Sequence, residues 1–287
     1  MRLHSIIAAL LLGVVSATAS QPVEIRLWAD TVPPVDNGLS SPGVFSREGT
    51  WLSDIGDPLM TVFPAEKPNG TALLMCPGGG YAGVALVREG SDFAPILNDM
   101  GITLAVLSYR MPCGHHTVPL DDARRALKIL RDRAPEWGIN PERIGIGGAS
   151  AGGHLASTVA THCTGSERVA FQMLLYPVIT MTDSLTHAGS RHNLLGENPT
   201  AELVELYSNE KHVTADTPRA FIATSANDHV VPVENTFRYF EALNEADVDA
   251  DMHIYPTGGH GWAFAKGLTF GRQWLRDLTT WLSHLYD

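Results

Sequence analysis

The chain has 287 residues, a hydrophobic fraction of 44% and a charged fraction of 18%, the balance of a globular protein with a substantial core. A formal net charge of −11 argues against a nucleic-acid backbone or an anionic lipid surface as partner, because binders of either concentrate Lys and Arg on one face. A neutral or weakly charged small-molecule or oligosaccharide ligand fits better, and no Pro/Ser linker, repeat period or low-complexity run divides the chain.

Residues 1–20 are read apart from the fold. Arg2 gives a positive start, Ile6 to Val15 form a short apolar run, and Ala17-Thr18-Ala19 has the small-x-small pattern of a signal-peptidase site. The alternatives are a buried N-terminal helix or a membrane anchor, but a span needs about 20 apolar residues and this run is shorter. The expectation is a cleaved signal peptide over 1–20, a secreted or periplasmic product of one domain over 21–287, and no stable membrane insertion.

The rest alternates strands with amphipathic helices. Val23 to Trp28, Leu59 to Phe63 and Thr71 to Cys76 read as strands, the last running into Pro77-Gly78-Gly79-Gly80. Ile102 to Tyr109 is almost continuously apolar, as a parallel strand covered on both faces must be. A helix is expected from Leu120 to Ala134, where Ala123, Ala126, Leu127 and Leu130 recur at helical spacing and Asp121 and Asp122 suit the positive end of the dipole. Strands follow at Arg143 to Gly147, Val169 to Val178, Ala220 to Thr224 and Ala250 to Tyr255. Helices are expected at Ser150 to Cys163, Val233 to Asn244 and Gly271 to Tyr286. Repeated βα units imply a mostly parallel central sheet flanked by helices on both sides. Met181 to Pro218 is the longest segment without strands, placed where an insertion can lie over the sheet's active edge.

Three cysteines, Cys76, Cys113 and Cys163, contain no CxxC, so they announce neither a metal nor a redox motif. Cys76 reads as a small buried residue. A Cys113–Cys163 bridge is left open, with no spacing to support it.

The chemistry is concentrated at Gly148-Ala149-Ser150-Ala151-Gly152. A strand enters this G-x-S-x-G and a helix leaves it, the order a nucleophile elbow needs, with glycines where the chain turns too sharply for bulky neighbours. The turn lifts the Ser150 hydroxyl above the sheet and aims the Ala151 N–H, near a helix N-terminus, where negative charge can develop. The motif alone also fits a Gly-rich turn that cradles phosphate or merely packs. Asp228 and His260 separate these readings, because each follows a strand, in the chain order serine, acid, histidine. A carboxylate fixes the histidine tautomer and stabilises the imidazolium formed when it takes the serine proton. Asp228 as a helix-capping residue and His260 as a surface histidine are the bland alternatives. The glycines after Pro77 can point backbone N–H groups into a pocket, which makes Gly79 and Gly80, with Ala151, the candidate oxyanion donors. Tyr81 and Trp262 are candidate pocket walls, or packed aromatics. His115-His116 and His187…His192 lack an acidic or thiol partner at ligand spacing, so neither metal nor cofactor is expected.

Cys76-Pro-Gly-Gly-Gly-Tyr81, Ser108-Tyr-Arg-Met-Pro112, Gly148-Ala-Ser-Ala-Gly-Gly-His154 and Tyr255-Pro-Thr-Gly-Gly-His-Gly-Trp262 together resemble a bacterial α/β-hydrolase family of acetylxylan and feruloyl esterases, related to the hormone-sensitive-lipase esterases. The resemblance, over Val23 to Leu285, implies an α/β-hydrolase fold without a large separate cap and removal of acetyl or related acyl groups from plant-cell-wall sugars. Two positions depart from it. Pro77 stands where the lipase-related esterases often carry His, and Asn227 where relatives often have a first Asp. A serine peptidase of the prolyl-oligopeptidase type, a feruloyl or aryl esterase, and a non-catalytic hydrolase-fold binding protein remain as alternatives.

Overall fold

The computed structural model describes residues 21–182 and 184–287, so the leader expected at 1–20 lies outside the described residues. The strands are β1 (Val23–Arg26), β2 (Val44–Phe45), β3 (Leu52–Ser53), β4 (Leu59–Phe63), β5 (Ala72–Cys76), β6 (Gly83–Val84), β7 (Thr103–Ser108), β8 (Ile144–Ala149), β9 (Gln172–Leu175), β10 (Ala220–Ser225) and β11 (Ala250–Tyr255). The helices are α1 (Ala94–Asp99), α2 (Val118–Asp132), α3 (Ala151–His162), α4 (Ala188–Leu195), α5 (Ala201–Leu206), α6 (Glu234–Glu245) and α7 (Gly271–Ser283).

The main sheet runs β1-β4-β7-β5-β8-β9-β10-β11. It is parallel from β7 to β11, and β4 joins antiparallel to both β7 and β1. Its central strands are the apolar runs because they are covered on both faces. Leu74 and Cys76 of β5 pack on one side with Ala123 and Leu127 of α2, Leu155 of α3 and Leu243 of α6. Leu73 and Met75, pointing the opposite way, pack with Leu97 of α1 and Trp274 and Leu278 of α7. Each such fully buried large apolar side chain contributes roughly 1.5–3 kcal/mol relative to exposure. No helix among the described residues is long and apolar enough to cross a membrane.

Several elements differ from expectation for identifiable reasons. The strand expected over Val169 to Val178 is shorter, Gln172 to Leu175, and at its C-terminal end Tyr176 takes φ +37° and turns the chain out of the sheet. The small antiparallel ribbon β2-β3-β6 has two-residue strands, too short to show a period. Asp122 is no exposed dipole partner. It is buried at the first turns of α2, accepts from the Arg110 backbone N–H, guanidinium and the Trp28 indole N–H, and forms a buried ion pair with Arg110. All three cysteines are free, Cys76 and Cys163 buried and Cys113 exposed.

His154 locks α3 beneath the segment 181–218. Its Nε2–H donates to the Tyr207 carbonyl at 2.8 Å, so Nδ1 accepts from the Tyr81 hydroxyl, also at 2.8 Å. Burial pushes its pKa down to about 4, holding it neutral in the folded protein. The unfolded chain therefore binds more protons below about pH 6.5, and stability is lost as the pH falls from there toward 4. The buried ring accounts for about 3 kcal/mol of that loss. His116, His162 and His187 are also pushed down by burial and add in the same direction. Thermal melts are expected to show Tm falling across this window, with a shallower slope in His154→Gln. An identical slope in the variant would remove His154 from the account.

Candidate active site

The serine turn is built from backbone constraints. Ser150 has φ +53° and ψ −122°, a conformation held by its N–H donating to Leu175 O at 3.0 Å and its carbonyl accepting from the N–H groups of Val178 and His154, both at 3.1 Å. Such a strained residue costs of order 1–3 kcal/mol and persists where its surroundings over-determine it. The glycines serve close approach: a Cβ on Gly152 would fall 2.0 Å from the Cys76 carbonyl oxygen of β5. The result leaves the Ser150 side chain at the sheet's carboxyl edge and the Ala151 amide at the N-terminus of α3.

Three loops meet there. His260 Nε2 lies 2.8 Å from Ser150 Oγ, and His260 Nδ1 lies 2.7 Å from Asp228 Oδ2. The Asp228 carboxylate is fully buried, and its Oδ1 accepts from the N–H groups of Val230 and Val231 at 2.9 and 3.0 Å. A donor set that complete favours the carboxylate at Oδ2 as acceptor, which puts the proton on His260 Nδ1 and leaves Nε2 free to accept from Ser150. Asn227 does not weaken the acid loop. Its Oδ1 accepts from the Gly259 N–H at 2.9 Å, tying the acid loop to the histidine loop through a carbonyl oxygen.

The glycine loop lies across from the elbow. Gly79 takes φ +150° and a Cβ on it would fall 2.0 Å from the Gly83 carbonyl oxygen, so no other residue fits the bend. The amides of Gly79, Gly80 and Ala151 donate to no group among the described residues. The strand-free segment closes over this edge: Asn193 Nδ2 donates to the Gly80 carbonyl at 2.8 Å, and the His187 ring lies beside Gly80. His187 caps α4 through Nδ1, accepting from the Ser190 N–H, and burial together with the neighbouring His260 lowers its pKa.

Trp262 does not open onto this space, whereas Tyr81 reaches a cleft beside the glycine loop. Tyr81 is 2% exposed and spends its hydroxyl on His154; Trp262 is 1% exposed among Tyr176, Tyr255, Phe270 and Trp274. Trp262 is a core aromatic, and Tyr81 is a nearly buried one whose edge borders the cleft. The indole beside the glycine loop is the half-buried Trp51, just before β3 of the short ribbon, against Gly79 and Gly83. The cleft that the loop borders measures about 380 Å³ and is lined by Tyr81, Asp54, Met111, Cys113, His192 and Asn193. No sequence motif marks Trp51 or His187, because their nearness to Gly79 and Gly80 is set by tertiary packing. Among the described residues no group of three or more His, Cys, Asp or Glu side chains is arranged to hold a metal ion.

A family profile described as alpha/beta hydrolase fold matches residues 73–264. The chain belongs to this family. This α/β hydrolase is 38% identical over 238 residues to an acetylxylan esterase of Xylanibacter ruminicola, the alignment covering 82% of the chain and 50% of the relative. It is 36% identical over 209 residues to endo-1,4-beta-xylanase B of Butyrivibrio fibrisolvens, covering 68% of the chain and 33% of that protein. The chain thus spans half or less of the length of these two curated relatives. It is similar to the crystal structure of an acetyl ester-xyloside bifunctional hydrolase from Caldicellulosiruptor lactoaceticus. The TM-score is 0.76 with 30% identity, covering 94% of this chain and 98% of that one.

Proposed function

We propose that this α/β hydrolase is a serine carboxylesterase that removes acetyl groups from acetylated xylan or closely related plant-polysaccharide esters. The observation that carries the chemistry is the hydrogen-bonded line Ser150 Oγ, His260 Nε2, His260 Nδ1, Asp228 Oδ2, at 2.8 and 2.7 Å. His260 takes the Ser150 proton as Oγ attacks the ester carbonyl, and Asp228 stabilises the imidazolium. The oxyanion forms beside the Ala151 amide and those of the glycine loop, Gly79 and Gly80, which have no competing partner to give up. His260 then protonates the departing sugar hydroxyl, leaving an acetyl group on Ser150. A water deprotonated by the same histidine attacks that ester, acetate leaves, and Ser150 regains its proton. No cofactor or metal enters any step.

The polysaccharide substrate is supported by the acetylxylan esterase and the acetyl ester-xyloside hydrolase to which the chain is similar. Residues 1–20 fit a signal peptide removed on export, which would place the enzyme, a single domain over 21–287, where such polymers occur. Acetate release from acetylated xylan, measured beside methyl ferulate and a peptide amide, tests the substrate. The expected order is acetylxylan well above ferulate, with no peptide cleavage; faster ferulate or peptide turnover would replace this reading with the corresponding rival.

A further inference from the structure

A carboxylate sits behind the reacting groups without a part in the steps above. Glu89, between β6 and α1, is 5% exposed. Its Oε2 accepts from the Gly78 N–H at 2.8 Å and its Oε1 accepts from the Tyr176 hydroxyl at 2.7 Å. Gly78 is a thin spacer: a Cβ there would fall 2.6 Å from Glu89 Oε2 and 2.8 Å from Ser150 Cβ. Tyr176 sets its ring edge-on to His260, with centroids 4.9 Å apart. A Cβ on Gly261, the residue after His260, would lie 3.8 Å from Glu89 Oε1, and the Arg88 guanidinium donates to the Gly261 carbonyl at 3.3 Å. Adjacent residues 88 and 89 therefore hold the glycine loop, the seat of the histidine ring and the histidine loop together.

We propose that Glu89 is a positioning residue of this site, whose ionised carboxylate ties the glycine loop to Tyr176 and favours the protonated form of His260 during acyl transfer. This rests on reading Ser150 and His260 as nucleophile and base. The Gly78 N–H can only donate, and Tyr176 donates as well, so the two aimed donors match a carboxylate. The charged and titratable groups facing Glu89 are Arg88, Tyr109, Tyr176 and His260; those facing His260 are Asp228, Glu89, Tyr176 and His187. Burial pushes the Glu89 carboxyl above the usual carboxylate range, against the pull of its two hydrogen bonds and of His260 and Arg88. A negative charge that interacts electrostatically with His260 adds to that of Asp228 as the ring becomes cationic, and does so in a region from which water is largely excluded.

Glu89→Gln isolates the charge. The amide oxygen can still accept from Gly78, and the amide N–H can donate to Tyr176, whose hydroxyl turns from donor to acceptor. NMR titration of the His260 imidazole is expected to show its pKa lowered by about one pH unit in E89Q. With p-nitrophenyl acetate, kcat should fall about tenfold with KM within about twofold, and the acid limb of kcat/KM should move with the imidazole. Tyr176→Phe keeps the ring, removes one donor from Glu89, and should shift both readouts the same way by less. A folded E89Q in which His260 titrates as in wild type overturns the proposal. If E89Q does not fold, a Tyr176→Phe enzyme with wild-type kcat and wild-type His260 titration overturns it equally. Absence of ester turnover in the wild type would sink the esterase reading, while the His260 titration would still decide the role of Glu89.

Discussion

Ser150→Ala is expected to lower kcat for p-nitrophenyl acetate by about 10⁴- to 10⁶-fold, with KM changed by no more than a few-fold. In the proposed mechanism the alanine removes the atom that forms the acyl-enzyme bond, while leaving the amides of Ala151, Gly79 and Gly80 in place. Those donors and the binding surface alone sustain roughly 10³-fold acceleration over water in comparable serine enzymes, which sets the floor. The fold should tolerate the change, because what holds Ser150 at φ +53° is bonded to its N–H and C=O. Serine already carries a Cβ at this φ, so alanine adds little backbone strain and Tm should stay within a few degrees of wild type. Initial rates and labelling by a fluorophosphonate probe decide the matter. Activity within tenfold of wild type, or undiminished labelling, would assign the nucleophile elsewhere.

How far the sequence could be read depends on where each residue's partners lie in the chain. Ser150, Asp228 and His260 each sit in a short window, strand then turn, whose chemistry is local, and their order along the chain matches the fold. The parallel sheet was equally legible, since runs such as Thr103–Ser108 and Ala220–Ser225 are apolar because both faces are covered. Glu89 carries no such mark. A lone glutamate before a glycine reads as a solvated loop residue, and only the fold brings it to Gly78 and Tyr176. Asp122 shows the same limit from the other side: its place in a first helical turn suggested a dipole partner, yet its real partner, Arg110, comes from the end of a strand. Trp262 misled for a related reason. His260 is its near neighbour in sequence, but side-chain direction sends the Trp262 ring into an aromatic cluster with Tyr255 and Trp274, while Tyr81 turns its hydroxyl to His154 and still borders the cleft beside the glycine loop. Periodicity and motif spacing report which face of the backbone a residue occupies. They do not report what a side chain meets across the core.

Asp228→Asn is expected to lower kcat by about 10⁴-fold while costing little stability, and the hydrogen bonds explain why an isosteric change is so costly. Oδ1 accepts from two backbone donors, Val230 N–H and Val231 N–H, at 2.9 and 3.0 Å. An asparagine must keep its carbonyl oxygen there, since turning it round would set its amide hydrogens against those two donors. Its NH₂ group then faces His260 Nδ1 in place of the carboxylate oxygen now 2.7 Å away. A donor at that position requires Nδ1 to accept, which moves the imidazole proton to Nε2 and points it at Ser150 Oγ. The ring can no longer take the serine proton, and the imidazolium loses its counter-charge as well. The loss should appear in kcat, with KM for a small ester changed little, because the amides of Ala151, Gly79 and Gly80 are untouched. Steady-state kinetics together with the ¹⁵N shifts of His260 test both halves of the argument. A variant within about tenfold of wild-type kcat, or one that keeps the proton on Nδ1, would show that Asp228 does not set the tautomer.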